Sequence, residues 1–173
     1  MTTIDTSTSV YVGTYNKYDN GSLFGEWLNL EDYSDKDEFI EACKALHSDE
    51  NDPEFMFQDW EGLLSNLITE SSVPDEIFEF YALEKYEQLQ AYAHLEATGY
   101  DLSYSLRHYE DVKIIECEYE YEMKDLVVDD WLESLGAKIP SYLENYIDYD
   151  AVYRDIGYEW TFVSGVGAVY VYN

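Results

Sequence analysis

Residues 116–133, ECEYEYEMKDLVVDDWLE, decide how the last third of this chain folds, and they support two readings. As a strand, Glu116, Glu118, Glu120 and Glu122 alternate with Cys117, Tyr119 and Tyr121. Four carboxylates then share one face at about 6.6 Å intervals, twice the rise of a strand residue. As a helix, Glu118, Glu122, Asp125, Asp129 and Glu133 form one stripe, rising about 4.5–6 Å per step. Like charges at either spacing destabilise the element that carries them, so local stability does not account for the row. Just before it, residues 112–117 read as a strand. Residues 123–135 read as a helix stopped by Gly136.

Outward from that row, Pro140 opens another helix. A hairpin joins residues 160–163 to 169–172 across Gly165 and Gly167. Towards the N-terminus, residues 62–109 keep helical period through Ile77, Phe78, Tyr81, Tyr86, Leu89, Tyr92, Ala93 and Leu95. Pro74 and Asp101 stand at helix starts, and Gly99 interrupts. The first third is strand-like at 10–15 and 23–30, with Asn20-Gly21 as a turn signal. A helix capped by Ser34 or Asp35 runs to about His47 and buries Phe39, Ile40, Cys43 and Leu46. A short apolar stretch, 55–60, follows Pro53. The fold class expected is α+β, in three small units without linkers: 1–61 mixed, 62–110 helical, and 111–173 mixed.

The acid is not confined to one row. Thirty-eight acidic residues against nine basic ones give a formal charge of -29, yet 46% of the chain is apolar and 17% aromatic, enough to fold. Residues 1–86 carry 20 acids and 4 bases and the remainder 18 and 5, so there is no acidic tail and the charge belongs to folded surface. Such a chain repels nucleic acid and anionic membranes; its natural partner is a basic protein surface. Duplex DNA carries one charge per ~1.7 Å, so this charge corresponds to roughly 49 Å of duplex. A compact globule of this length is about 40 Å across. The two charge densities are comparable. Nineteen tyrosines, many beside acids, suit either an interface or the rims of small cores.

Enzyme readings fail one by one. A calcium loop counted from Asp49 meets Pro53 and Glu54 where a ligand and a glycine are needed. Cys43 and His47 share a helix at four-residue spacing, but surrounding acids raise a thiol's pKa. His94 and His108 have no partner at ligand spacing, no carboxylate pair stands out, and Gly165-Val166-Gly167 lacks a following helix. No catalytic residue, metal or cofactor is expected. Two cysteines without a disulfide framework suit reduced thiols in the cytoplasm, and no apolar run is long enough for a bilayer. A halophile's hydration-driven acidity and an acidic decoy or chaperone for some other basic DNA-binding protein remain as alternatives.

Three blocks carry a resemblance: residues 10–30 (VYVGTYNKYDNGSLFGEWLNL), 42–62 (ACKALHSDENDPEFMFQDWEG) and 139–157 (IPSYLENYIDYDAVYRDIG). In this order they resemble the ArdA-type antirestriction proteins. The resemblance implies an elongated homodimer of three-domain subunits that imitates bent B-form DNA. It also implies binding to the methyltransferase core of type I restriction-modification enzymes in the cytoplasm of a host bacterial cell, blocking restriction and often modification, on behalf of a phage or other mobile element. The acids expected to meet that target are Glu116, Glu118, Glu120, Glu122, Asp125, Asp129 and Glu133, together with Asp49, Glu50, Asp52, Glu54, Asp59 and Glu61. The acid-poor segment 160–172 is the expected dimer interface, through Trp160, Phe162, Val169 and Val171.

Overall fold

The computed structural model describes residues 4–136 and 138–172, so the ends of the expected outer units, residues 1–3 and 173, lie outside it. It is an α+β fold with two three-stranded antiparallel sheets. The chain divides into two compact units, Asp5–Gln88 and the remainder from Leu89 together with the stretch before Asp5. Residues 62–110 are therefore shared between them.

In the first unit β1 (Thr8–Thr14) is central, flanked by β2 (Glu26–Asn29) and β3 (Phe55–Gly62). Alternation does the work: Thr8, Val10, Val12 and Thr14 are buried, while Ser9 and Tyr11 face outward. The register slips between Tyr11 and Val12, leaving Gln58 of β3 as the extra residue of a bulge. A short helix, α1 (Tyr15–Asp19), separates β1 from the Asn20-Gly21 turn, which pattern reading passed over as loop. Helix α2 (Lys36–Leu46) covers the inner face. It starts where Asp35 Oδ1 accepts from Glu38 N at 2.8 Å, and Glu38 returns a carboxylate to Ser34 N at 2.8 Å. The fully buried Phe39 ring lies 5.5–5.9 Å from Tyr33, Phe57 and Phe78, the last carried by α3 (Asp75–Tyr81). Burial of such a ring contributes about 1.5–3 kcal/mol. β3 ends at Gly62, whose φ of +104° no side chain favours; an added Cβ would sit 2.1 Å from the Ser7 carbonyl oxygen.

The second unit is built on β4 (Val112–Ile115), β5 (Trp160–Val163) and β6 (Gly167–Val171), in the order β4-β6-β5. One face packs on Ala93, Leu89 and Tyr92 from α4 (Lys85–Thr98), using Val112, Ile114, Val163, Val169 and Val171. The other carries Ile115, Ala168 and Phe162 in one cross-strand row. That row packs on Met123 and Val127 of α6 (Glu120–Ser134) and on Tyr153 and Ile156 of α8 (Tyr149–Ile156). Strands with apolar residues on both sides need helices on both sides. Helix α5 (Leu102–His108) begins at Asp101, which caps it at 2.7 Å; α7 (Ser141–Glu144) follows Pro140. Gly136, at φ +65°, stops α6 as expected.

Candidate functional site: the carboxylate surface

A carboxylate is costly to bury, and this chain buries none. Of its 38 acids 32 are exposed and the other six half-buried, so the charge is displayed on both units. The few cations are largely consumed inside the chain: Lys36 meets Asp75, Lys44 meets Glu41, Lys85 meets Glu31, Lys113 meets Asp130 and Lys124 meets Asp150. Exposed pairs of this kind add little stability. Their consequence is that positive charge is matched locally while most acids keep their field.

In the row at 116–133 the helical reading holds from Asp125 onward, and Glu118, its expected first member, lies outside the helix. The strand β4 stops at Ile115, Glu116–Tyr119 are irregular, and α6 begins at Glu120. Glu116, Glu118, Glu120 and Glu122 therefore do not share a strand face. Cys117 turns inward to the core as alternation requires, but Tyr119 and Tyr121 are both exposed, so the alternation ends there. Glu122 is half-buried: its carboxylate accepts from the backbone N–H groups of Glu118 (3.0 Å) and Tyr119 (3.1 Å), fastening the start of α6. Glu120 falls on the side of the helix that carries Met123 and Val127. Beyond Glu122, Asp125, Asp129 and Glu133 continue one exposed stripe, about 4.5–6 Å apart along the axis.

In the first unit Asp52 and Glu54 are exposed in the loop before β3, and Asp59 and Glu61 on β3 itself. Asp59 pairs across with Tyr11, which pairs in turn with Trp27, and Glu61 pairs with Ser9. The outer face of this sheet is thus an acid edge beside the Tyr11–Trp27 edge-to-face ring pair (5.6 Å). Asp49 and Glu50 behave differently. Lys17 Nζ donates to Asp49 Oδ1 at 2.8 Å and to His47 Nδ1 at 2.8 Å, and lies 3.1 Å from Glu50 Oε1. Glu50 also accepts from Thr14 Oγ1 (2.7 Å) and Asn16 Nδ2 (3.3 Å), and its side chain is only 12% exposed. Glu50 is a structural acid rather than a displayed one. Burial opposes the Lys17 charge, but Asp49 and Glu50 outweigh it and raise its pKa.

The same cluster disposes of two chemical readings. His47, Asp49 and Glu50 bring ligand atoms within 4.8 Å of one another, but the Lys17 ammonium is the cation they hold. Because Nδ1 of His47 accepts from Lys17, its Nε2–H donates to the Val12 carbonyl (3.2 Å), and neither nitrogen is left to serve Cys43. Burial pushes the Cys43 thiol up to about 12, far from a nucleophile's range.

The Tyr149 hydroxyl donates to Asp129, and the phenols of Tyr119, Tyr170 and Tyr15 stand beside the carboxylates of Glu118, Glu159 and Glu70. Each phenol's pKa is raised, that of Tyr149 to about 12 by the Asp129 carboxylate. Sequence reading placed tyrosine at an interface or a rim and missed this pairing. The Tyr-Glu repeats at 118–122 were its only signal.

The expected interface residues are spent largely at home. Val169 is 1% exposed in its own core; Trp160 and Phe162 pack partly on the α6–α8 side, and Val171 on the α4 side. The reason is that both faces of this small sheet need covering. What the hairpin leaves free is the outer edge of β5, since β5 ends the sheet.

No helix among the described residues is long and apolar enough to cross a membrane. A comparison with curated proteins finds no match. The family model described as antirestriction protein (ArdA) matches residues 10–170, nearly the whole chain and both of its acidic units, and the chain therefore belongs to the ArdA antirestriction family.

Proposed function

We propose that this protein inhibits type I restriction-modification enzymes as a DNA mimic, occupying the DNA-binding site of the methyltransferase core without turnover. The supporting observation is the surface itself: 38 acids with none buried, nine bases mostly paired within the chain, and the Asp125–Asp129–Glu133 stripe on a rigid helix. A DNA-binding enzyme presents lysine and arginine where phosphates sit, and ordered carboxylates meet the same groups. The displayed contacts in this reading are Glu118, Asp125, Asp129 and Glu133 on one unit and Asp52, Glu54, Asp59 and Glu61 on the other. The reading includes a two-fold dimer, the commonest assembly, which doubles the roughly 49 Å of duplex that one chain matches by charge. The free edge of β5 is the surface offered for it.

The test is displacement. Fluorescent duplex bound to a purified type I methyltransferase is titrated with the protein at low and high salt. Saturation at a fixed ratio, weakened as salt rises, supports the reading. Failure to displace duplex at any ratio refutes it, and a requirement for molar salt to fold would favour halophilic acidity instead.

A further inference from the structure

The sheet of the second unit is longer than its helical cover on one side. Beside the buried row Ile115–Ala168–Phe162 runs the row Lys113–Tyr170–Trp160, on the same face two residues along each strand. Helices α6 and α8 do not close over it. The result is a cleft of about 360 Å³ with that row as its floor, Asp130 and Trp131 of α6 on one wall, and Asp155 and Glu159 on the other. Trp160 and Tyr170 have ring centroids 5.4 Å apart, and Tyr170 and Tyr172 5.0 Å. The cleft therefore combines electron-rich ring faces with three carboxylates.

One cation already lies there. Lys113 Nζ is 2.5 Å from Asp130 Oδ2 and 5.9 Å from the Trp160 ring centroid. Its charge answers Asp130 alone. Among the described residues Asp155 meets only Arg154, at 3.8 Å with both side chains about three-quarters exposed, a contact that water screens. Among the described residues Glu159 has the neutral Tyr170 phenol beside it, which leaves its charge uncancelled.

A guanidinium suits such a place better than any other side chain. It is planar, stacks on aromatic faces, forks its N–H groups to carboxylates, and loses less hydration than an ammonium. A nucleobase could stack on the same rings, but its phosphate would face Asp155 and Glu159. We infer that this cleft receives an arginine side chain projected from the basic, DNA-binding surface of the target enzyme, an inference that rests on the proposed function. Arginine is a principal phosphate-contacting residue of such surfaces, and a carboxylate mimic with a socket for it gains contact that phosphates alone do not supply.

The experiment uses the whole chain labelled with 5-fluorotryptophan, whose four ¹⁹F signals are assigned by single Trp→Phe variants. Titration with arginine amide is expected to move Trp131 and Trp160 while leaving Trp27 and Trp60 in place. Citrulline amide, of the same shape but with a neutral ureido side chain in place of the guanidinium, should bind at least about fivefold more weakly, and Asp155→Asn with Glu159→Gln should weaken arginine amide by about fivefold. No movement of Trp131 and Trp160 up to roughly 50 mM, or an equal response to citrulline amide, overturns the inference. The same double variant should bind the methyltransferase about tenfold more weakly. Unchanged binding, with the parent still displacing duplex, overturns the cleft and leaves the proposed function standing. Failure of the parent to displace duplex defeats the function, and the arginine amide titration then decides the cleft by itself. A shift from dimer to monomer in the double variant, seen by sedimentation, would assign the cleft to a second copy and also overturn the inference.

Discussion

Lys17→Met is the most informative single perturbation of the first unit. The ammonium makes contacts of 2.8, 2.8 and 3.1 Å to His47, Asp49 and Glu50, and its side chain is 13% exposed. Methionine keeps most of the stem but leaves the buried His47 Nδ1 without its donor and Glu50 without its counter-charge. Removing one partner of a fully buried pair costs about 3–5 kcal/mol. Glu50 keeps Thr14 and Asn16, and Asp49 is 66% exposed and rehydrates, so the loss should be smaller. We expect about 2–3 kcal/mol, or roughly 10–20 °C in the melting temperature of a unit this size. Thermal unfolding of the parent, Lys17→Met, Glu50→Gln and the double variant measures it, and the cycle should return a coupling of about 1–2 kcal/mol. The pH dependence carries a sign. Glu50 is held below its ordinary value of 4.5, first by the Thr14 hydroxyl and then by Lys17 and Asn16, so its stabilisation is complete above that pH. It is lost as pH falls through the lowered value. The gap between parent and Glu50→Gln should be flat above about pH 4.5 and close below it. A Lys17→Met loss under about 0.5 kcal/mol, or a gap that widens in acid, refutes the reasoning.

Three further outcomes follow from the same geometry. Gly62→Ala forces a Cβ to 2.1 Å from Ser7 O at a positive φ, and should cost at least about 2 kcal/mol in chemical denaturation; a neutral result would mean the β3 terminus is not held as described. Replacing Glu118, Asp125, Asp129 and Glu133 with their amides, and sparing Glu122 because it caps α6, should weaken methyltransferase binding at least about tenfold and flatten its salt slope; unchanged affinity with intact helicity would make the stripe a solvated face. Absorbance titration of the phenols should include a component displaced above the usual phenol range, because burial or neighbouring carboxylates raise Tyr33, Tyr81, Tyr149 and Tyr170. These raised values contribute stability below about pH 10 that is lost as pH rises through them, and a single sharp wave would contradict the pairing.

What the pattern of residues made legible was mostly what local chemistry dictates. The Asp35 cap, the Asp101 cap, the Gly136 stop and the alternation of β1 are each a short-range rule, and each stands in the fold. The 116–122 stretch misled as a strand because alternation counts residue types and cannot weigh the helix-fastening bond that Glu122 makes backwards. Helix α8 places Tyr149, Val152, Tyr153 and Ile156 on one face, a spacing legible in the sequence that the expectation of a single helix from Pro140 passed over; what that face packs on, the core of Cys117, Met123 and Val127, is not local information. The hairpin's role was obscured for a related reason: a run poor in charge suits an interface or a core equally, and only the sheet order shows that two faces need filling. At the candidate site, the sequence tells which side chains are acidic. It does not tell which are held by Lys17, because that lysine lies some thirty residues away from its partners.

The Tyr149 hydroxyl on Asp129, and the phenols beside Glu118, Glu159 and Glu70, bear on the entropy of recognition. A flexible polyanion attracts a basic surface as strongly from afar, but each of its carboxylates must be stilled on contact, at about 0.5–1.5 kcal/mol per immobilised side chain. A lysine partner would fix the carboxylate and also cancel it. Phenol fixes it and leaves the charge whole, so much of that ordering is completed when the chain folds. Because no ion pair is involved, the stiffness should also survive salt that screens the attraction. The lattice of acids would then lose its reach at high ionic strength before it lost its shape, as a rigid phosphate backbone does.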